Sequence, residues 1–261
     1  MWEADLRLAL RHDGARTVLA SRAHRGPLVV QRPFYPEDDV CHLILVHPPG
    51  GIVSGDHLNL SVDARGGAHA LVTTPAATKF YRARAGGAAH LVQRLDLDDA
   101  RLEWLPQETI VFDGAQPRAC TQVHLTARSR FVGWEILCLG RPASGERFAN
   151  GSIHQDFEVW RDEAPVLLDH LRLDGDTGAD APWGLAGRSV LGTLIATPAT
   201  ADDVHAARET DTACTLVDGV LMARTLGDGA AVVRRRLHRL WQRLRPSILG
   251  REALAPRIWA T

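Results

Sequence analysis

Apolar and polar residues alternate with a period of two along much of this chain. Leu58, Leu60 and Val62 share one side of residues 57–63, with His57, Asn59, Ser61 and Asp63 on the other; Leu91, Gln93, Leu95 and Leu97 likewise oppose Val92, Arg94 and Asp96. Alternation of this kind predicts strands with one buried face. Further strand-like segments are Cys41–His47, Leu102–Leu105, Ile110–Asp113, Cys120–Ala127, Phe131–Leu139, Ile153–Trp160, Val166–Leu173 and Thr215–Leu226, the last folded about Asp218-Gly219. Asp-Gly or Asn-Gly pairs at Asp13, Asp113, Asn150, Asp174, Asp218 and Asp228 supply residues that tolerate the positive φ of tight turns. Helical spacing is confined to the C-terminal part. Val233, Leu237, Leu240, Trp241 and Leu244 form one stripe with arginines opposite, and Pro246 is expected to end that helix. A shorter helix is predicted over Ala201–Arg208, because Thr200 and Asp203 stand as an acidic capping box. The chain shows no composition break and no repeat of fixed period. The expected architecture is therefore one domain over residues 1–261, a mainly β assembly of antiparallel or mixed sheets with two helices in its C-terminal half.

Composition narrows the partners. Of 261 residues, 45% are apolar and 23% charged, enough to build a core, and 30 basic against 31 acidic residues leave a net charge of −1. Neither nucleic acid nor an anionic membrane is expected as a partner, since no overall basic field exists to attract one. Lys79 is the only lysine, so arginine makes up the other 29 basic residues. Arginine suits bidentate pairing with carboxylates and hints at protein contacts. Cys41, Cys120, Cys138 and Cys214 lack zinc-site spacing and are too sparse for a secreted disulfide framework, which favours a reduced, cytoplasmic setting. No segment has the length and apolarity of a signal core or a membrane span.

Common catalytic signatures are missing: there is no phosphate-binding loop ending in lysine, no H-E-x-x-H, no nucleophile elbow. The glycine-rich run His47-Pro48-Pro49-Gly50-Gly51-Ile52-Val53-Ser54-Gly55-Asp56 reads most simply as a turn joining two strands. Phe131–Leu139 is almost wholly apolar and predicts a strand covered on both faces, yet it contains Glu135. A carboxylate there needs an arginine, a hydrogen-bond network or a wet cavity, because bare burial costs several kcal/mol or forces protonation. Asp169 poses the same question within Val166–Leu171, and Asp56 closes the glycine run. Each of these acids has two readings, a structural ion pair with an arginine or one wall of a polar interior path. Most of the 12 histidines read as ordinary core or surface imidazoles, and the terminal Pro256–Trp259 as a segment docked on the core.

Several blocks go beyond spacing. Gln31-Arg32-Pro33-Phe34-Tyr35-Pro36-Glu37, the His47–Asp56 run, Thr78-Lys79-Phe80-Tyr81-Arg82, Leu102-Glu103-Trp104-Leu105-Pro106-Gln107-Glu108, Leu139-Gly140-Arg141-Pro142 and Pro256-Arg257-Ile258-Trp259 occur in an order that resembles the urease accessory protein UreD (UreH) family over nearly the whole length. Ser54 departs from the Gly-Gly-Asp common there, and a strongly positive φ at that position would be uncomfortable for serine. The resemblance implies a β-helix-like scaffold without catalytic turnover, one that binds UreF, recruits the GTPase UreG through it, and docks on apo-urease. It also implies that nickel(II), in transit and not permanently bound, reaches the urease site through a channel in this subunit. By matching motif positions, Asp56, Thr78, Glu135 and Asp169 would line that path, offering scattered oxygens to a hydrated ion rather than a closed cage. The rival from another class is a β-helical hydrolase or lyase using Asp56, Glu103, Glu108 and His57 as acid–base groups. A third reading is a structural adaptor that never touches the metal.

Overall fold

A computed structural model describes residues 1–84, 87–175 and 178–260. In chain order the strands are β1 (Glu3–His12), β2 (Thr17–Arg25), β3 (Val29–Val30), β4 (Cys41–Val46), β5 (His57–Arg65), β6 (His69–Thr73), β7 (Thr78–Phe80), β8 (Ala89–Asp98), β9 (Arg101–Leu105), β10 (Thr109–Val111), β11 (Pro117–Leu125), β12 (Arg130–Leu139), β13 (Ser152–Arg161), β14 (Ala164–Asp174), β15 (Val190–Thr197), β16 (Ala213–Val217) and β17 (Val220–Gly227). The helices are α1 (Ala201–Arg208) and α2 (Ala230–Leu249).

From β4 to β13 the main strands alternate between two sheets, and each pairs in parallel with its counterpart one coil later. One sheet runs β14-β13-β11-β8-β5-β1-β2; the other contains β4, β6, β9 and β12 in succession and continues through β15, β17 and β16. The result is a solenoid-like β arrangement of about four turns, closed at its ends by antiparallel strands. Leu43, Val72, Trp104 and Gly133 are successive register partners, so the coil advances by 29, 32 and 29 residues. Because the advance varies with corner length, no fixed period appears in the sequence. Short β7 and β10 make a third side, on which Ile52, Phe80, Val111 and Leu139 stack one above another.

β12 separates two cores by the alternation of its side chains. Phe131, Leu137 and Leu139 enter the core between the sheets, whereas Val132, Trp134, Ile136 and Cys138 face the helices. The strand is thus covered on both faces, as its apolar run predicts, and Glu135 falls on the inter-sheet side. β15 is buried at all eight positions for the same reason, and without alternation it carries no period-two signal. At Gly192 within it a Cβ would approach Val233 Cγ1 to 2.5 Å; the glycine lets α2 lie directly on the sheet.

Val233, Leu237, Leu240, Trp241 and Leu244 are all fully buried, as the stripe predicts. The expected end at Pro246 is corrected: α2 runs through it to Leu249 and stops at Gly250, whose φ is 74°. The apolar stripe continues through buried Ile248 and Leu249, and that packing outweighs the local cost of proline. At α1, the Thr200 backbone N–H donates to Asp203 Oδ2 at 2.8 Å, and Ser247 Oγ on α2 donates to Asp203 Oδ1 at 2.5 Å, so the capping acid also ties the helices together. Between β16 and β17, Asp218 (φ 47°) and Gly219 (φ 73°) make the left-handed pair of a two-residue hairpin. Trp259 docks against Trp134, His238 and Trp241, with ring centroids 5.5, 5.5 and 5.9 Å away.

Candidate functional site

A cavity of about 290 Å3 opens between the two sheets beneath the loop that follows β4. Its floor is largely apolar, including Leu58, Leu60 and Leu91, but Gln93, Glu135 and Gln155 project into it from β8, β12 and β13. Each interrupts an inward apolar face, as Gln93 does between Leu91 and Leu95 and Gln155 between Ile153 and Phe157. Thr121 Oγ1 lies 2.5 Å from Glu135 Oε1 and 2.8 Å from Gln93 Oε1, and Gln155 Nε2 donates to Glu135 Oε2. A hydroxyl has one proton, so Thr121 serves one acceptor at a time unless Glu135 is itself protonated and donates back. No guanidinium pairs with Glu135 among the described residues. Burial pushes its carboxyl up to about 7, against the lowering by Thr121 and Gln155 and with help from the negative charge of Asp169 and Asp156.

Two further residues that line this cavity carry a buried polar atom without a hydrogen-bond partner among the described residues: His47 at Nε2 and Trp104 at Nε1. Buried donors and acceptors ordinarily find a partner. With Glu135, Gln93 and Gln155 alongside, the cavity offers water the polar contacts it requires and far more than the roughly 10–15 Å3 needed for one molecule.

Of the four residues placed on a path by motif position, Thr78 and Glu135 border the same cavity. Asp56 does not. It is fully buried and accepts backbone N–H groups from Trp2 (2.6 Å) and Val53 (3.0 Å), so it closes the glycine loop and pins the N-terminal residues to it. Asp169 lies on the inward side of β14, but both its oxygens accept from Arg224 Nη2 at 2.5 Å, the ion-pair alternative. Ser54 escapes strain, because the positive φ values of the loop fall on Gly50 (77°) and Gly55 (79°).

The rival acid–base groups are dispersed. Glu103 is completely buried in an ion pair with Arg245, Glu108 pairs with Arg234 at 3.2 Å, and His57 stacks on His90 with ring centroids 4.5 Å apart. Neither these three nor Asp56 lines the cavity, and the hydrolase or lyase reading is not favoured. No group of three or more histidine, cysteine, aspartate or glutamate side chains among the described residues is arranged to hold a metal ion. Nor is any helix of the described residues long and apolar enough to cross a membrane.

The family model for the UreD urease accessory protein matches residues 3–260. The urease accessory protein UreD of Citrobacter koseri is 45% identical over 270 aligned residues, covering all of this chain and 92% of its own. Those of Azoarcus sp. and Klebsiella aerogenes are 46% and 44% identical, again over the whole chain and over 94% and 97% of theirs. These relatives are named as accessory proteins and not as enzymes. With the coiled β fold, the paired helices and the full-length match in hand, the chain belongs to the UreD family of urease accessory proteins.

Proposed function

We propose that this chain is a single-unit urease maturation scaffold over residues 1–261, acting in the cytoplasm, which binds UreF and apo-urease, recruits UreG through UreF, and passes nickel(II) through the space between its sheets. The observation that carries this reading is Glu135: a carboxylate with no guanidinium partner among the described residues, hydrogen-bonded to Thr121 and Gln155, facing a largely apolar cavity that Gln93, Gln155 and Thr78 also border. A core salt bridge would spend its charge on an arginine; this one leaves it for a passing ion. Oxygen donors in small number, without a closed cage, hold a hydrated dication weakly enough to release it. Asp169 stands further along the inner side of β14, close enough to raise the Glu135 pKa, and would share its oxygens between Arg224 and the ion. Asp56 keeps the loop over the cavity in place and acts on the path through that loop.

Glu135→Ala and Asp169→Ala, each co-expressed with urease and its other accessory proteins, test this reading. The expected result is reduced nickel per urease with the complex still assembling. Unchanged nickel loading in both variants would reject transport and leave the adaptor reading.

A further inference from the structure

The loop over the cavity contains a group that the path described so far does not use. His47 directly follows β4 and lines the cavity, and its carbonyl accepts from Gly50 N–H at 2.9 Å, closing the turn that opens the loop. The next glycine fixes the loop from the other side: a Cβ at Gly51 would come within 2.1 Å of the Tyr81 ring. Within this rigid turn Nε2 is buried and meets no hydrogen-bond partner among the described residues. Burial lowers the imidazole pKa, and the negative charge of Asp56 opposes this only in part.

We propose that His47 is the nitrogen ligand that selects nickel(II) at the mouth of this cavity, an assignment that rests on the conduit reading above. The oxygens of Thr78 and Glu135 cannot sort cations by kind, since carboxylate and hydroxyl donors suit magnesium and calcium as well as nickel. Imidazole does sort them: it binds nickel(II) and its transition-metal neighbours and offers little to hard ions. Lys79 sharpens the choice. The single lysine of the chain borders the same cavity and forms no ion pair among the described residues. Its positive charge opposes a dication held by field alone, whereas a coordinate bond to nitrogen overcomes that opposition. With no metal-holding group of three or more histidine, cysteine or carboxylate side chains among the described residues, His47 makes a stop on the way and not a trap.

The test uses the complex co-expressed with urease at limiting NiCl2, with and without excess MgCl2, and reads nickel per urease normalised to the amount of complex recovered. His47→Gln is expected to lower nickel loading several-fold and to make it sensitive to magnesium. His47→Cys, which restores a ligand with transition-metal preference, should recover loading and magnesium resistance. If His47→Gln loads like the parent at both magnesium levels while Glu135→Ala fails, the His47 assignment is overturned and the conduit stands. If the cysteine variant recovers nothing, the role of His47 is structural and the assignment is again overturned. If His47→Gln, Glu135→Ala and Asp169→Ala all load normally, the conduit reading falls with it.

Discussion

Arg245 and Glu103 meet inside the protein with both side chains completely buried: Nε donates to Oε2 at 2.9 Å and Nη2 to Oε1 at 3.0 Å. The same guanidinium grips Glu37 at 2.7 and 2.8 Å, while Trp241 Nε1 donates to Glu103 and His69 and His42 contact the two acids. One cation from α2 thereby anchors the segment before β4 and the strand β9. Arg245→Met would strand two carboxylates and should cost about 3–5 kcal/mol, read as a fall in the urea midpoint followed by tryptophan fluorescence. Replacing Glu37 and Glu103 by leucine in the same background should recover part of that loss.

Acid should undo this joint through Glu37. Burial alone would raise its pKa, but hydrogen bonds from His42 and Arg245 and the guanidinium charge outweigh burial and hold it at about 2, against 4.5 in an unstructured chain. The unfolded chain therefore takes up the proton first as the pH falls. The stabilisation from Glu37 is complete above 4.5 and is lost on the way down to about 2. Thermal unfolding of Glu37→Gln and of the parent should differ most near neutrality and converge at the acid end of that window.

Glu135 has the opposite sign. Its carboxyl titrates near 7 in the folded protein and at 4.5 unfolded, so the folded state holds its proton more tightly and loses stability as the pH rises between those values. Glu135→Gln, which keeps the shape and carries no charge, should match the parent below 4.5 and exceed it in melting temperature above 7. Identical pH profiles for the two proteins would mean that this carboxylate is solvated like a surface acid.

Pro246 gives a test of helix continuation. Proline removes a backbone N–H and crowds the carbonyl four residues back, at about 3 kcal/mol relative to alanine in a helix interior, partly offset by the stiffer unfolded chain. Pro246→Ala should therefore stabilise the protein by about 1–2 kcal/mol in urea unfolding, with the Gly250 stop retained because its N–H bonds the residue-246 carbonyl.

Residues that touch neighbours in sequence were legible before any coordinates. The alternation at 57–63 and 91–97, the stripe from Val233 to Leu244, the Asp218-Gly219 turn and the doubly covered strand through Glu135 all follow from local periodicity, and they decide most of the fold. What periodicity cannot express is which strand lies beside which. The coil stacks segments about thirty residues apart, and only this stacking brings Gln93, Thr121 and Gln155 opposite Glu135. Their signal was nonetheless present, a lone polar residue on an otherwise apolar face, as at Gln93. Asp169 and Glu135 looked alike in sequence because both sit among leucines and isoleucines. The nearby Arg224, on a strand more than fifty residues away, is what separates a paired acid from an unpaired one.

A coil of stacked strands has open rims, and an open rim invites a second copy to add its own strand. Here the outermost strands of the seven-stranded sheet, β2 and β14, fold back antiparallel on β1 and β13, and both hairpins break register, between Ala9 and Leu10 and between Val159 and Trp160. Bulges of this kind twist an edge away from flat pairing; Arg22, His24 and Arg25 on one rim and Pro165 on the other deter it further. The two hairpins thereby block strand addition at both edges of this sheet, and the chain itself supplies the block.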